Sequence, residues 1–374
     1  MTMGDRGAGP GERAPGASRR VEVALGERSY TVEIGLGSLD GLGAAVKRVV
    51  APTRAFLITT PPVGRRWGGR ALASLRSAGL RARRFDVPDG ERSKSLAQAG
   101  RLYDALLAAG ADRGSVVVAL GGGVVGDLAG FVAATLLRGL PIVQVPTSLL
   151  AMVDSSVGGK TGVNVPRGKN LVGAFHQPRL VWIDAATLAT LPLRQRRAGL
   201  AEVVKHAAIC DAALFEQLEA EGEQLLGGEL ERWLPILERN CAIKAAVVAQ
   251  DEREAGLRML LNFGHTLGHA VESLARYRGV LHGEAVAIGM AFAARRSEAL
   301  GLAPPGPAER LVALLARLGL PTELPRHPRR AYLAALAVDK KKRDARIRFV
   351  ALRGIGRAET VPLLPTEILP PEAR

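Results

Sequence analysis

The pattern of apolar residues changes once along this chain of 374 residues, close to Pro192. Upstream of that point, short apolar and β-branched runs alternate with stretches of helical periodicity. They predict a hairpin over 21–25 and 30–34, strands over 56–60, 83–87 and 115–120, and helices over 71–78 and 95–109. Strands that alternate with helices indicate βαβ units, so this part is predicted to be an α/β domain with a parallel sheet.

Downstream of Pro192, strand signals almost vanish. Helical periodicity covers residues 198–210, 213–225, 230–250, 260–274, 283–300 and 308–318. We therefore predict an α/β domain over 21–193 and an all-α domain over 194–374, with a ligand cleft between them. Residues 1–20 are mostly Gly, Pro, Arg and Ala and lack the apolar core of a signal peptide. They are predicted to be a disordered tail.

The composition favours a cytoplasmic protein that binds neither a membrane nor nucleic acid. The longest apolar runs, such as 116–120 and 142–145, are too short to cross a bilayer. Cys210 and Cys241 are the only cysteines, which suits a reducing compartment. The formal charge of +15 would suit nucleic acid, but the basic residues are scattered and aromatic residues are only 4%, too few for stacking platforms.

Lysine is used sparingly in this arginine-rich chain. Only nine of the 51 basic residues are lysine, and six of these nine lie in motifs that contain Gly, Asn, His or Asp. Lysine supplies a compact charge with a tunable pKa, which arginine cannot. The clustering favours a lysine-lined site for a small anion over compositional drift.

A glycine turn follows the most β-branched strand. Residues 116–120 lead into Gly121, Gly122 and Gly123, and the segment continues to Asp127. Glycines let backbone N–H groups approach a pyrophosphate at a helix N-terminus, which predicts a Rossmann-like nucleotide-binding domain. The spacing differs from G-x-G-x-x-G, and a tight turn without a ligand is the alternative.

Residues 146–170 are rich in glycine and small polar residues and are expected to form a long loop without regular structure. Lys160, Lys169 and Asn170 can donate to phosphate or hydroxyl oxygens. Asp154 can accept from a hydroxyl or take part in proton transfer. The alternative is a flexible loop with solvated lysines, although long loops inside compact domains are often functional.

Half of the six histidines fall between 265 and 282. His265 and His269 are four residues apart, so on a helix they would share one face. Neutral imidazole is a common zinc ligand, and a divalent metal site is therefore predicted here. A pair of histidines hydrogen-bonded in a helical core is the alternative.

Taken together, these motifs resemble the 3-dehydroquinate synthase family. The resemblance runs in order from about residue 21 to about 356 and rests on 121–127, 146–177, 201–206, 262–269, 282–284 and 339–341. It implies an NAD-binding α/β domain joined to a helical metal-binding domain, usually as a homodimer. It also implies that Glu202, His265 and His282 bind zinc or cobalt, and that His269 faces the substrate instead of the metal.

The resemblance further implies a set of substrate contacts: Asp154, Lys160, Lys169, Asn170, Lys205, Lys244, Glu254, Arg258, Asn262 and His269. Lys244 and Arg258 would hold a substrate carboxylate. Lys160, Asn170 and His269 would hold its phosphate, with Lys340 or Lys341, of which we prefer Lys340. Arg138 would come from the partner subunit.

Implied NAD contacts are Glu91, Lys94, Gly122, Gly123, Val124, Asp127, Thr147, Ser148, Lys160, Lys169, Thr190 and Leu191. Two positions on this side depart from the family's pattern. An Asp-x-Asn that usually follows the strand 56–60 is replaced by Thr60, Pro61 and Pro62, and a glutamate is replaced by Gln195.

The implied reaction is a lyase reaction of the shikimate pathway. It converts 3-deoxy-D-arabino-heptulosonate 7-phosphate to 3-dehydroquinate and phosphate by transient oxidation with NAD, phosphate elimination, reduction and ring closure. Three alternatives remain: another NAD- and metal-dependent sugar-phosphate cyclase, a metal-dependent polyol dehydrogenase, and a protein without enzymatic activity. The two predicted carboxylate contacts, Lys244 and Arg258, favour the acid substrate.

Overall fold

The computed structural model describes residues 18–337 and 346–371. Lys340, Lys341 and nearly all of the predicted tail lie outside these residues. Within them, the strands are β1 (Arg19–Val23), β2 (Tyr30–Gly35), β3 (Arg54–Thr59), β4 (Arg81–Asp86), β5 (Ser115–Gly121), β6 (Ile142–Pro146), β7 (Lys160–Val165), β8 (Gly168–Phe175), β9 (Leu180–Asp184), β10 (Ile347–Gly354) and β11 (Arg357–Leu363).

Helices surround and follow these strands. They are α1 (Leu42–Val50), α2 (Pro61–Val63), α3 (Gly69–Ser77), α4 (Leu96–Ala108), α5 (Gly123–Thr135), α6 (Leu193–Cys210), α7 (Ala212–Leu226), α8 (Trp233–Gln250), α9 (His265–Leu274), α10 (His282–Ala299), α11 (Pro307–Arg317), α12 (Arg329–Ala337) and α13 (Pro365–Ile368). None of the described helices is long and apolar enough to span a bilayer.

Seven strands form one sheet in the order β1-β2-β9-β6-β5-β3-β4. Only β1 and β2 pair antiparallel; the other neighbours pair in parallel. Every residue of β5 is buried, as expected for a central parallel strand that is covered on both faces. The predicted Rossmann-like α/β fold and the helical C-terminal part are confirmed.

Apolar side chains fill both faces of the sheet because side chains alternate along a strand. Val117 packs with Phe56 and Leu128 of α5 on one face. Val118, one residue further, packs with Leu57 on the other face. A larger core joins β1, β2 and β9 to the helices, so the two parts of the chain share buried apolar surface.

Local structure differs from the sequence-based expectation at three places. The segment 146–170 is not structureless, because β7 lies within it and pairs with β8 as an antiparallel hairpin. A second hairpin, β10–β11, adds strands to the mostly helical C-terminal part. The predicted helix over 260–274 begins only at His265, since Gly264 before it takes a left-handed backbone conformation with φ +80°.

Glycines let helix α10 pack so closely against α6 and α9 that their backbones are in contact. A Cβ at Gly283 of α10 would lie 1.8 Å from the carbonyl oxygen of Ala198 in α6. A Cβ at Gly289 would lie 1.8 Å from the carbonyl oxygen of Gly264, at the start of α9. No larger residue fits either contact, and the close packing brings residues of α6, α9 and α10 together at one point.

Candidate active site

A cavity of about 1060 Å³ lies where the carboxyl ends of β3, β5 and β6 face the hairpin β7–β8 and helices α9 and α10. The open edge of a parallel sheet is the usual ligand site of such folds. Every predicted cofactor residue except Lys160 lines this cavity, namely Glu91, Lys94, Gly122, Gly123, Val124, Asp127, Thr147, Ser148, Lys169, Thr190 and Leu191.

The glycine turn between β5 and α5 forms one wall of the cavity. A Cβ at Gly122 would lie 3.2 Å from Ser148 Oγ, and one at Gly123 would lie 3.0 Å from Ser155 Oγ. Helix α5 begins there without a side-chain cap, so its first N–H groups are left for a ligand. This arrangement fits the pyrophosphate of a dinucleotide.

The cofactor side contains its own polar contacts. The nearly buried Lys94 forms an ion pair with Asp127, and burial raises the pKa of Asp127 although Lys94 partly offsets this. Asn164 of β7 donates to Glu91 at 2.8 Å. The two departures from the family pattern also lie on this cavity, at Thr60, Pro62 and Gln195.

Glu202, His265 and His282 meet at the helical side of the cavity. The Nε2 atoms of both histidines lie 3.7 Å from Glu202 Oε1. Glu202 is fully buried, and neither of its carboxylate oxygens accepts a hydrogen bond from the described residues, although Lys205 contacts Oε2 as an ion pair. Two imidazoles and a buried, under-coordinated carboxylate are a donor set that fits a catalytic divalent metal.

Both histidines are oriented through their other ring nitrogen. His265 Nδ1 lies 3.2 Å from the carbonyl oxygen of Phe263, and His282 Nδ1 lies 3.3 Å from Glu272 Oε2. A donor at Nδ1 leaves the lone pair of Nε2 for a metal. Burial, followed by nearby positive charge, holds the pKa of His265 well below its usual range, so the ring is neutral as a ligand must be.

A buried charged network adjoins this cluster. Lys205 contacts Glu202, and Lys244 contacts Asp154, which lines the cavity. Burial opposes ionisation of Asp154, but the charges of Lys244 and Lys205 hold its pKa well below the usual range. Burial lowers the pKa of Lys244, and Asp154 partly offsets this. The network therefore places two cations next to one cavity carboxylate.

Asp154, Glu202 and His206 also lie close enough to share a cation. However, the ammonium groups of Lys205 and Lys244 already contact the two carboxylates. A metal ion here would be repelled by both lysines. Only one of these ammonium groups, that of Lys205, contacts the cluster of Glu202 with the two histidines of α9 and α10, which makes this cluster the better candidate for a cation.

Six predicted substrate residues do not line the cavity. Lys205 and Lys244 belong to the charged network described above, and the other four form a neighbouring polar group. Lys160 forms an ion pair with Glu254, and Asn262 donates to Glu254 at 2.6 Å. Arg258 is buried and donates to the carbonyl oxygen of Gly158 at 3.0 Å. In this arrangement Glu254 accepts from the ammonium group of Lys160 and the amide group of Asn262, which are the groups predicted to bind the substrate.

Asp251 shapes the loop that carries Arg258. Its carboxylate accepts from the backbone N–H groups of Ala255 at 2.8 Å, Gly256 at 2.7 Å and Arg258 at 3.0 Å. Burial opposes ionisation, but these three hydrogen bonds outweigh it and lower the pKa of Asp251. The carboxylate form is thus the one that holds the loop.

We expect Asp251→Asn to lower the free energy of unfolding by about 1–2 kcal/mol at pH 7, because charge-assisted hydrogen bonds are lost. Since the folded-state pKa is lowered, this stabilisation is present above about pH 4 and is lost as pH falls through the folded-state pKa. Urea unfolding at pH 7 and about pH 3 checks it. Asp86→Asn, at an exposed ion pair with Arg84, is the control with a change below about 0.5 kcal/mol. A loss that does not depend on pH would contradict the assignment.

The remaining predicted residues divide between the cavity and the surface. Lys169, Asn170 and His269 line the cavity. Arg138 is exposed just after α5, in a left-handed conformation with φ +68°, and does not line it. Lys340 and Lys341 lie outside the described residues.

Sequence reasoning missed Glu272 and Tyr277, which both line the cavity. Glu272 contacts His282 and Lys169, and the ring of Tyr277 lies 4.3 Å from Lys169 Nζ. A signal for Glu272 was present: it follows His269 by three positions and His265 by seven, on the same face of α9. Nothing in the sequence marked Tyr277.

Known proteins resemble this chain in sequence along most of its length. The family model for the 3-dehydroquinate synthase N-terminal part matches residues 84–198, and the C-terminal model matches 199–342. A 3-dehydroquinate synthase of Citrifermentans bemidjiense is 50% identical over 91% of this chain and 94% of its own length.

Two solved structures have the same fold over almost their whole length. A 2-deoxy-scyllo-inosose synthase complexed with carbaglucose-6-phosphate, NAD+ and Co2+ has a TM-score of 0.86 at 27% identity, covering 94% of this chain and 98% of its own. A 2-epi-5-epi-valiolone synthase from Streptomyces hygroscopicus with NAD+ and Zn2+ has a TM-score of 0.82 at 32% identity, covering 92% and 96%. By its sequence matches and its fold, this chain belongs to the 3-dehydroquinate synthase family.

Proposed function

We propose that this protein converts 3-deoxy-D-arabino-heptulosonate 7-phosphate to 3-dehydroquinate and phosphate, as a lyase of the shikimate pathway. One observation carries the proposal: the cluster of Glu202, His265 and His282 reaches, through His282, the same cavity that the uncapped glycine turn lines. A dinucleotide on the turn and a metal in the cluster would therefore face one substrate.

Lysine and arginine side chains would bind the two anionic ends of the substrate. Lys244 and Arg258 would take the carboxylate, since both are buried cations close to Asp154. Asn170 and His269 on the cavity wall, together with Lys160, would take the phosphate. For Lys160 to do so, its ion pair with Glu254 must yield to the substrate. Held at both ends, the substrate would be oriented for reaction.

Glu202, His265 and His282 would hold one divalent metal ion, zinc or cobalt, and the residues around the glycine turn would hold NAD. Bound NAD supplies a hydride acceptor and donor, and the metal supplies a Lewis acid. Asp154 lines the cavity beside Lys244 and Lys205 and, as a carboxylate, can accept a proton or hydrogen bond from a substrate hydroxyl. The flanking ammonium groups would stabilise negative charge on the substrate.

We also propose that the protein acts as a homodimer in the cytoplasm, with a domain boundary at residues 193 and 194. Arg138 supports the dimer. It is exposed and lies outside its own chain's cavity, so it is free to reach the site of a partner subunit. Its left-handed backbone is the kind of local strain that clusters at functional sites.

The proposed function predicts that phosphate release from the heptulosonate phosphate needs both NAD and metal, without net NADH. Phosphate and the NADH absorbance band would be followed together, with and without NAD and a chelator. NADH that accumulates in proportion to substrate would indicate a polyol dehydrogenase instead. The absence of turnover at high NAD would contradict the proposed substrate.

A cyclase for a sugar phosphate without a carboxylate is the second candidate, because the 2-deoxy-scyllo-inosose synthase above is complexed with carbaglucose-6-phosphate. It has no need of buried cations for a carboxylate. Turnover of glucose 6-phosphate, but not of the heptulosonate phosphate, would favour it. The buried pair of Lys244 and Asp154 favours the acid substrate.

A further inference from the structure

Glu272 lies between His282 and Lys169, which have separate roles in the proposed function. It is nearly buried on α9. Its Oε2 atom lies 3.3 Å from Nδ1 of His282, a candidate metal ligand on α10. Its Oε1 atom lies 3.3 Å from Nζ of Lys169, on β8 at the cavity wall. Each carboxylate oxygen thus has its own partner.

We propose that Glu272 is a positioning residue that holds the metal ligand His282 and the cavity lysine Lys169 on one carboxylate. It thereby couples the metal centre on the helices to the hairpin β7–β8 of the α/β part. The role given to Lys169 rests on the proposed function. The expected effect of Glu272 on metal binding does not depend on the proposed function.

The contact with His282 selects the ring tautomer. An ionised carboxylate only accepts hydrogen bonds, so Nδ1 of His282 must carry the proton that it donates. The lone pair of Nε2 then points toward Glu202, 3.7 Å away. The ammonium group of Lys169 lies 3.3 Å from the other carboxylate oxygen and supplies a counter-charge for this ionised form.

The contact with Lys169 fixes a side chain that would otherwise be mobile. A lysine carries about 2 kcal/mol of rotamer entropy, so one ion pair rarely holds it. Here Glu272 acts with two further groups, the ring of Tyr277 at 4.3 Å and the carboxylate of Glu91 at 3.9 Å. Lys169 is thus held from three sides, and only Glu272 connects it to a metal ligand.

The first test is the affinity of the metal-free protein for Zn2+, measured by competition with a chromophoric chelator. We expect Glu272→Gln to weaken binding about 10–100-fold, since the loss of such a partner costs this much in other metal sites. The control is Glu33→Gln, which makes the same change at an equally buried glutamate paired with Arg48. Its affinity should stay within about twofold of wild type. Unchanged affinity in Glu272→Gln would overturn the proposal, whatever the substrate is.

The second test is a double-mutant cycle with Lys169→Met on kcat/KM at saturating metal. If Glu272 acts through Lys169, the double variant should lose about tenfold less than the product of the two single losses. Fully multiplicative losses would overturn the coupling. If Glu272→Gln fails to fold, Glu272→Asp is the second variant. The aspartate keeps the charge but is too short to reach both His282 and Lys169. This variant should therefore weaken Zn2+ binding or the coupling to Lys169. Wild-type affinity together with wild-type coupling in that variant would also overturn the proposal.

Discussion

Replacing Glu202 with glutamine is expected to abolish tight metal binding and to lower turnover at least about 1000-fold. Glu202 is fully buried, and its carboxylate faces the Nε2 atoms of His265 and His282. An amide keeps the shape but removes the charge that a divalent ion needs. Lewis-acid stabilisation contributes several kcal/mol, and each 1.4 kcal/mol corresponds to a factor of ten. Metal content after dialysis and phosphate release would be measured on the same preparations.

His265→Ala is expected to give the same joint loss. The matched control is His327→Ala, which removes an exposed histidine that contacts Tyr332 and does not line the cavity. It should retain both metal and activity. Full activity in metal-free Glu202→Gln protein would exclude the assigned cluster. Thermal unfolding is the necessary second readout, because Glu202→Gln leaves Lys205 buried without its ion-pair partner.

Lys244→Met is expected to lower kcat/KM for the heptulosonate phosphate about 100-fold. Lys244 is buried on α8 and contacts Asp154 at the cavity. A hydrogen bond to a charged partner contributes about 2–3 kcal/mol, which corresponds to a factor near 100. The loss should appear mainly in KM, because this contact is expected in the ground state as well as in the transition state. Steady-state kinetics at saturating NAD and metal would measure it.

The control for this variant is Lys47→Met, at an exposed lysine on α1 that donates to the carbonyl oxygen of Ala78. Its kinetics should match wild type. A substrate analogue without the carboxylate separates binding from folding, because Lys244→Met should bind it as wild type does. If the variant lost affinity for the acid and for the analogue equally, Lys244 would support the structure of the site and would not recognise the carboxylate.

The sequence predicted the architecture well because periodicity depends on neighbouring residues. The β-branched run 116–120 became the fully buried β5, and the glycines after it became the turn at the cavity. Two predictions of local structure were wrong. Residues 160–175 form a hairpin, although their small polar side chains gave no strand pattern. Helix α9 begins after Gly264, which is later than the apolar pattern indicated.

The candidate site could be predicted from the sequence only where its residues belong to recognisable motifs. The histidine spacing on α9 pointed to His265 and His269, and the resemblance to a family replaced this pair with Glu202, His265 and His282. The resemblance also named nearly all of the predicted cofactor residues that line the cavity. Periodicity could not show that Lys160 and Glu254 form an ion pair away from the cavity, or that Lys205 contacts Glu202. Side-chain partners depend on how elements pack, and charged residues offer no periodic pattern that predicts this.

The sequence by itself determined the alternation of strands and helices before Pro192, the mostly helical character after it and the glycine turn, and its resemblance to a family supplied the candidate ligands. Only the tertiary structure decided that Glu202, His265 and His282 meet, and that Glu272 joins His282 to Lys169. These residues come from β8, α6, α9 and α10, which are far apart along the chain. They meet because Gly283 and Gly289 let α10 touch the backbone near the starts of α6 and α9. Contacts of that kind follow from close packing in three dimensions, which no local pattern in the sequence encodes.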